Sequence, residues 1–128
     1  MVIKSANSDT TLELKDPQGH YCQVRVTAHD HPARKRVYMY RDGPHLGSLF
    51  RAAAADWRGW NGERCWKSVD GELAVSLEAD GLGHVTVSVS LGDELGDRPD
   101  PWCLQTTLTL EAGQLDRVAR DAETFFAK

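Results

Sequence analysis

Midway along the chain, one apolar stripe of helical period interrupts strand-like alternation. Leu46, Leu49, Phe50, Ala53, Ala54 and Trp57 recur at i, i+3, i+4, i+7, i+8 and i+11. That spacing puts all six on one face of an amphipathic helix over about 45–57. Asp42-Gly43-Pro44 supplies a start signal and Arg58-Gly59 a stop. On both sides the period is two. Leu12 and Leu14 alternate with polar neighbours, as do Cys22, Val24, Val26 and Ala28, and then Val37 and Met39 against Arg36, Tyr38 and Tyr40. Beyond the helix the pattern returns in Leu73, Val75, Leu77 and Ala79, in Val85, Val87, Val89 and Leu91, and in Trp102, Leu104, Thr106, Leu108 and Leu110. Such alternation marks strands with one buried face. A last helical stripe, Leu115, Val118, Ala119, Ala122, Phe125 and Phe126, predicts a helix over about 112–126.

Turn chemistry joins these pieces. Asp16-Pro17-Gln18-Gly19 and Asp80-Gly81-Leu82-Gly83 read as tight turns between paired strands. His29-Asp30-His31-Pro32-Ala33 reads as a loop, because proline removes a ladder donor. Short turns imply antiparallel pairing. The expected object is a single α+β domain over 1–128, an antiparallel sheet with the two helices packed against it. At 128 residues with 41% hydrophobic and 27% charged side chains, the chain is long enough to bury a core without disulfides or metal.

Charge and targeting narrow the function. The formal net charge is −4, and the one linear basic cluster is Arg34-Lys35-Arg36, so nucleic acid is not the expected partner. The start, Met1-Val2-Ile3-Lys4-Ser5, turns polar at once, and no apolar run approaches a membrane span. A cytoplasmic protein without membrane contact is expected. Cys22, Cys65 and Cys103 are odd in number and lack CxxC spacing, which fits reduced thiols.

Candidate chemistry is sparse. His29-Asp30-His31, with His20 and Cys22 nearby in sequence, lacks the spacing of a zinc site, so no metal or cofactor is expected. His84 after a tight turn suits a general base, but its ring serves equally to close the hairpin. Gly81-Leu82-Gly83 joins strand to strand, whereas a phosphate cradle needs a following helix. Cys65, between Arg64 and Trp66-Lys67, has the most electropositive setting of the three thiols. None of these carries a catalytic assignment. Three of four tryptophans, Trp57, Trp60 and Trp66, crowd one junction. Trp57 and Trp66 are expected in the core under the helix, and Trp60, between Gly59 and Asn61, at a binding surface. The acidic loop bearing Asp93, Glu94, Asp97 and Asp100 is the other candidate surface, suited to a basic partner.

The runs Trp57-Arg58-Gly59-Trp60-Asn61-Gly62-Glu63, Trp66-Lys67-Ser68, Asp80-Gly81-Leu82-Gly83-His84-Val85 and Leu110-Glu111-Ala112-Gly113-Gln114-Leu115 resemble those of a family of small uncharacterised bacterial proteins common in actinomycetes. The architecture is also similar to WapI-type toxin-immunity proteins. That second resemblance implies a non-catalytic cytosolic interaction protein, an immunity-type inhibitor that occludes a protein toxin or other basic protein. The alternative is a small-molecule-binding or enzymatic domain with a pocket near Trp60 and His84. A third reading is a homodimer through an edge strand or the Tyr38/Tyr40 face.

Overall fold

The computed structural model describes residues 1–39, 43–92 and 102–127. Four strands, β1 (Val2–Lys4), β2 (Thr11–Gln18), β3 (Tyr21–Ala28) and β4 (His31–Tyr38), form one antiparallel meander in the order β1-β2-β3-β4. Helix α1 (Gly43–Ala55) follows. A second meander comprises β5 (Glu63–Lys67), β6 (Leu73–Ala79), β7 (His84–Gly92) and β8 (Cys103–Glu111), in the order β5-β6-β7-β8. A short 3-10 turn, Ala112–Gln114, leads into α2 (Leu115–Phe126). The α+β class is as the periodicity implied. The strands divide into two sheets rather than one.

Both sheets turn their apolar faces to a common core. Leu12, Leu14, Val24, Val26 and Val37 from the first meet Val75, Leu77, Val87, Leu108 and Leu110 from the second. The helices contribute Leu46, Phe50, Ala53, Leu115, Val118 and Ala119. Phe50 is the largest fully buried side chain. The helices pack on each other through small residues: a methyl group on Gly47 would stand 3.7 Å from the Ala122 Cβ. Arg51 of α1 clips α2 from the outside, 2.8 Å from the Asp116 carboxylate and 2.6 Å from that of Glu123.

Among the described residues, polar contacts tie the sheets at two places. The Ala6 N–H donates to the Thr109 carbonyl (2.7 Å) and the Thr109 N–H to Ser5 Oγ (3.0 Å), so the segment after β1 occupies the edge of β8. This covers backbone groups that an open sheet edge would expose. Lys35 of β4 reaches Glu72 beside β6 at 3.1 Å, both side chains mostly buried.

Three local expectations are corrected. Strand β4 begins at His31, not after Ala33. The turn is only His29-Asp30, both at positive φ (53° and 64°), the two-residue geometry that matches strand twist. Pro32 is tolerated because β4 is an edge strand, pairing only with β3 in the described sheet. Strand β2 runs on through Pro17 to Gln18, with a bulge between Lys15 and Gln18 and Asp16 at φ 52°. Helix α1 ends at Ala55, two residues before the stripe does.

Candidate functional site

The early end of α1 decides the fate of the tryptophans. Asp56 still bonds back to Ala52, and the Gly59 N–H donates to the Asp56 carbonyl at 2.8 Å, closing a turn that Gly59 completes at φ 120°. Trp57 thereby leaves the apolar stripe and stands 55% exposed. Its expected core position is corrected, because a residue beyond the last helical turn no longer follows the helical period. Trp66, on the inward face of β5, is buried as expected. Trp60 is half-buried, and its Nε1 has no hydrogen-bond partner among the described residues.

Cations cover the exposed Trp57 ring and the half-buried Trp60 ring of this corner. The Arg58 guanidinium lies 5.0 Å from the Trp57 ring centroid, and that of Arg64 4.6 Å from Trp60. Arg64 is held by Asp56 at 2.5 Å. The corner abuts the β6–β7 turn, since a methyl group on Gly59 would stand 3.6 Å from Gly81 Cα. That turn is built on Asp80, whose carboxylate accepts from the N–H groups of Leu82 (2.7 Å) and His84 (3.1 Å) and meets His84 Nδ1 at 3.1 Å. The Leu82 backbone bond, then that of His84, draws the Asp80 carboxyl below its ordinary range. His84 therefore closes the hairpin. The turn lifts Leu82 into solvent, 82% exposed. Trp57 and Leu82 thus project at one end of the molecule.

A second feature is the outer face of the second sheet. The register aligns Cys65, Ser76, Ser88 and Thr107 across four strands, with Lys67, Ala74, Ser90 and Gln105 in the next row. The small side chains of Cys65, Ala74, Ser76, Ser88, Ser90 and Thr107 leave a broad groove of about 690 Å³, with Lys67 and Gln105 among its walls. Ser90 Oγ meets Cys103 Sγ at 3.4 Å near one end. A smaller groove of about 320 Å³ lies where Pro17, His20, Tyr21 and Met39 face Phe125 and Phe126. A third, beside Gly92 and Cys103, adjoins the first. Neither Trp60 nor His84 lines any of the three.

A third feature was invisible in the linear sequence. The triplet Arg34-Lys35-Arg36 splits: Lys35 turns inward opposite Val24, while Arg34 and Arg36 turn outward opposite Arg25 and Gln23. The same outer face carries Lys4 and Lys15. Alternate positions on separate strands hid this set from any local count of charge.

Asp93, Glu94, Asp97 and Asp100, the acidic loop, lie outside the described residues, as does Tyr40. Among the described residues no three His, Cys, Asp or Glu side chains gather as a metal ion requires. Cys22 is buried and its thiol is pushed up to about 12 by desolvation, partly opposed by Arg36. Cys65 and Cys103 are exposed. No helix among the described residues is long and apolar enough to cross a membrane.

The model of a family of unknown function, DUF6228, matches residues 3–128. The chain belongs to DUF6228. The match takes in both sheets and both helices, so the tryptophan corner, the hydroxyl groove and the charged sheet face all fall within the family's span. No curated protein and no solved structure matches the DUF6228 chain.

Proposed function

We propose that this chain is a non-catalytic protein-binding module that docks through the end bearing Trp57 and Leu82. One observation carries the reading: two large apolar side chains, 55% and 82% exposed, are held at the same end by the approach of Gly59 to Gly81. Each exposed apolar side chain forgoes roughly 1.5–3 kcal/mol of burial, which a partner surface would recover. Tryptophan with flanking arginine is the composition of interface hot spots. The finer reading, an immunity-type inhibitor that occludes a toxin, rests on the resemblance of the sequence to WapI-type proteins and on the acidic residues of 93–100.

The test is capture with the immobilised chain, followed by titration of the captured protein against a Trp57→Ser/Leu82→Ser variant. Both side chains are exposed, so the variant keeps its fold. Hot-spot loss of about 2 kcal/mol or more weakens binding at least 30-fold. Equal affinity for variant and wild type overturns the proposal. Capture of the protein encoded by a neighbouring toxin gene supports the immunity reading.

The alternative is a small-molecule-binding domain, and the groove of about 690 Å³ over Ser76, Ser88 and Thr107 favours it. Its volume is within the range of ligand sites. Filling it with Ser88→Trp would abolish ligand-induced chemical-shift changes there.

A further inference from the structure

The outer face of the first sheet carries a net positive field on a chain of net charge −4. Reading the register across the strands, one row runs Val2, Glu13, Arg25, Arg34, and the next Lys15, Gln23, Arg36. Lys4 lies at the end of a third row. Five cations therefore share this face with one carboxylate, Glu13, which lies 3.8 Å from Lys15. Asp16 and Asp30 sit at the turns that border it. Among the described residues no carboxylate pairs with Arg25, Arg34 or Arg36, and Arg25 Nε is buried without a hydrogen-bond partner. Arg25 and Arg34 are direct cross-strand neighbours. Like charges in that relation destabilise a sheet. A local cost with no compensation inside the fold is expected where a surface has work to do.

The row beyond is aromatic. Tyr21 and Tyr38 are paired, their ring centroids 5.0 Å apart, and the Arg36 guanidinium lies 5.1 Å from the Tyr21 centroid. Tyr21 is 43% exposed. It also forms one wall of the 320 Å³ groove, with His20, Phe125 and Phe126 as further aromatic walls. Cations along a flat face thus lead into a ring-lined slot.

We propose that this face binds single-stranded nucleic acid, with backbone phosphates on Arg25, Arg34, Arg36 and Lys15 and an unstacked base in the slot beside Tyr21. An array of cations alone would suit any polyanion. The aromatic slot at its end selects for a base, because single-strand binders combine a positive track with rings on which bases stack. A duplex keeps its bases stacked and paired and has none to insert. The low net charge does not oppose this, since association responds to the local field within about a Debye length. The proposal uses a different surface from the Trp57–Leu82 end and stands or falls independently of it.

The experiment is fluorescence anisotropy of labelled twelve-residue oligothymidylate and oligouridylate with the full chain, titrated at several salt concentrations. Saturable binding is expected, with a log–log salt slope near −3, from about four neutralised phosphates at roughly −0.7 each. Arg34→Glu is expected to weaken binding at least 10-fold and flatten the slope. Tyr21→Ser is expected to weaken it by about 5- to 150-fold, the worth of one stacked base, and leave the slope unchanged. Arg117→Glu, the same charge change on the exposed side of α2, is expected to leave binding as it was. No binding to either oligonucleotide at 100 µM protein and low salt overturns the proposal. So does equal binding of a duplex of the same length. So does an unchanged affinity for Tyr21→Ser together with tighter binding of a decaglutamate peptide, which would assign the face to an acidic protein. Circular dichroism of each variant guards against misfolding.

Discussion

Arg34→Glu should make this protein more stable. In the sheet Arg34 faces Arg25 directly across the β3–β4 ladder. Opposed Cβ atoms stand about 4.5–5.5 Å apart, and a pair of charges there contributes roughly 0.2–1 kcal/mol, with the sign set by the charges. Reversing one sign removes a repulsion and adds an attraction, and it offers a carboxylate to the Arg25 guanidinium, whose Nε has no hydrogen-bond partner among the described residues. Arg36, two residues along the same edge, gains as well. The two terms together span about 0.4–2 kcal/mol, and because Arg34 is exposed solvent screening trims the total to about 0.5–1.5 kcal/mol. In a domain of this size that corresponds to a rise in Tm of roughly 2–6 °C. The assay is thermal unfolding followed by circular dichroism, at 20 mM and at 1 M salt. Screening at 1 M salt, where the Debye length is about 3 Å, should remove most of the gain. Arg34→Gln should show about half of it at low salt. A lower Tm for Arg34→Glu, or a gain of the same size at both salt concentrations, would refute the pairing of Arg25 with Arg34. The same substitution is expected to weaken oligonucleotide binding, a trade of function for stability that binding surfaces commonly show.

Gly92→Ala should destabilise by about 1–3 kcal/mol, because its Cβ would meet the Trp102 carbonyl and stand 2.7 Å from Cys103 Cα, both backbone atoms of the paired strand; Gly113→Ala, with open space around it, should change urea unfolding little. Of the three thiols, two should react promptly with a disulfide reagent in the native state. Cys22, buried and with its thiol near 12, should react only on unfolding, and three equal rates would contradict its burial. Asp80→Ala should destabilise at neutral pH and the gap should close in acid. The Asp80 carboxyl lies below its ordinary value in the folded chain, so its contribution is present above the ordinary carboxylate value of about 3.9 and is lost as pH falls through the depressed one. A gap that persists at pH 2 in chemical denaturation would refute the role of the ionised carboxylate.

Much of this architecture was legible before any coordinates. Alternation in 72–79 and 84–91 fixed both the faces and the Asp80 turn, because period and turn chemistry are local properties. The α1 stripe was legible for the same reason, though its last member was misplaced. Trp57 fits the helical period on paper, but the backbone turns at Asp56 and takes the side chain with it. Pro32 pointed to a loop because a proline's cost depends on whether its strand is central or at an edge, and that is a property of the sheet. The division into two sheets was hidden for a related reason: alternation names a strand's face, never its neighbours. The charged face of the first sheet was the largest loss. Arg25, Arg34 and Arg36 become neighbours only through a register that joins residues on opposite sides of the His29-Asp30 turn. Of the candidate surfaces drawn from sequence, Trp60 proved half-buried behind Arg64, whereas Trp57, expected in the core, took the exposed position.

The central claim is that the end bearing Trp57 and Leu82 is where a partner protein docks. Hydrogen–deuterium exchange of the chain, free and saturated with its captured partner, tests this directly. Slowed exchange is expected at the amides of 57–60 and 80–84, with no comparable change at the His29-Asp30 turn. Protection elsewhere with unchanged exchange in those two segments would contradict it.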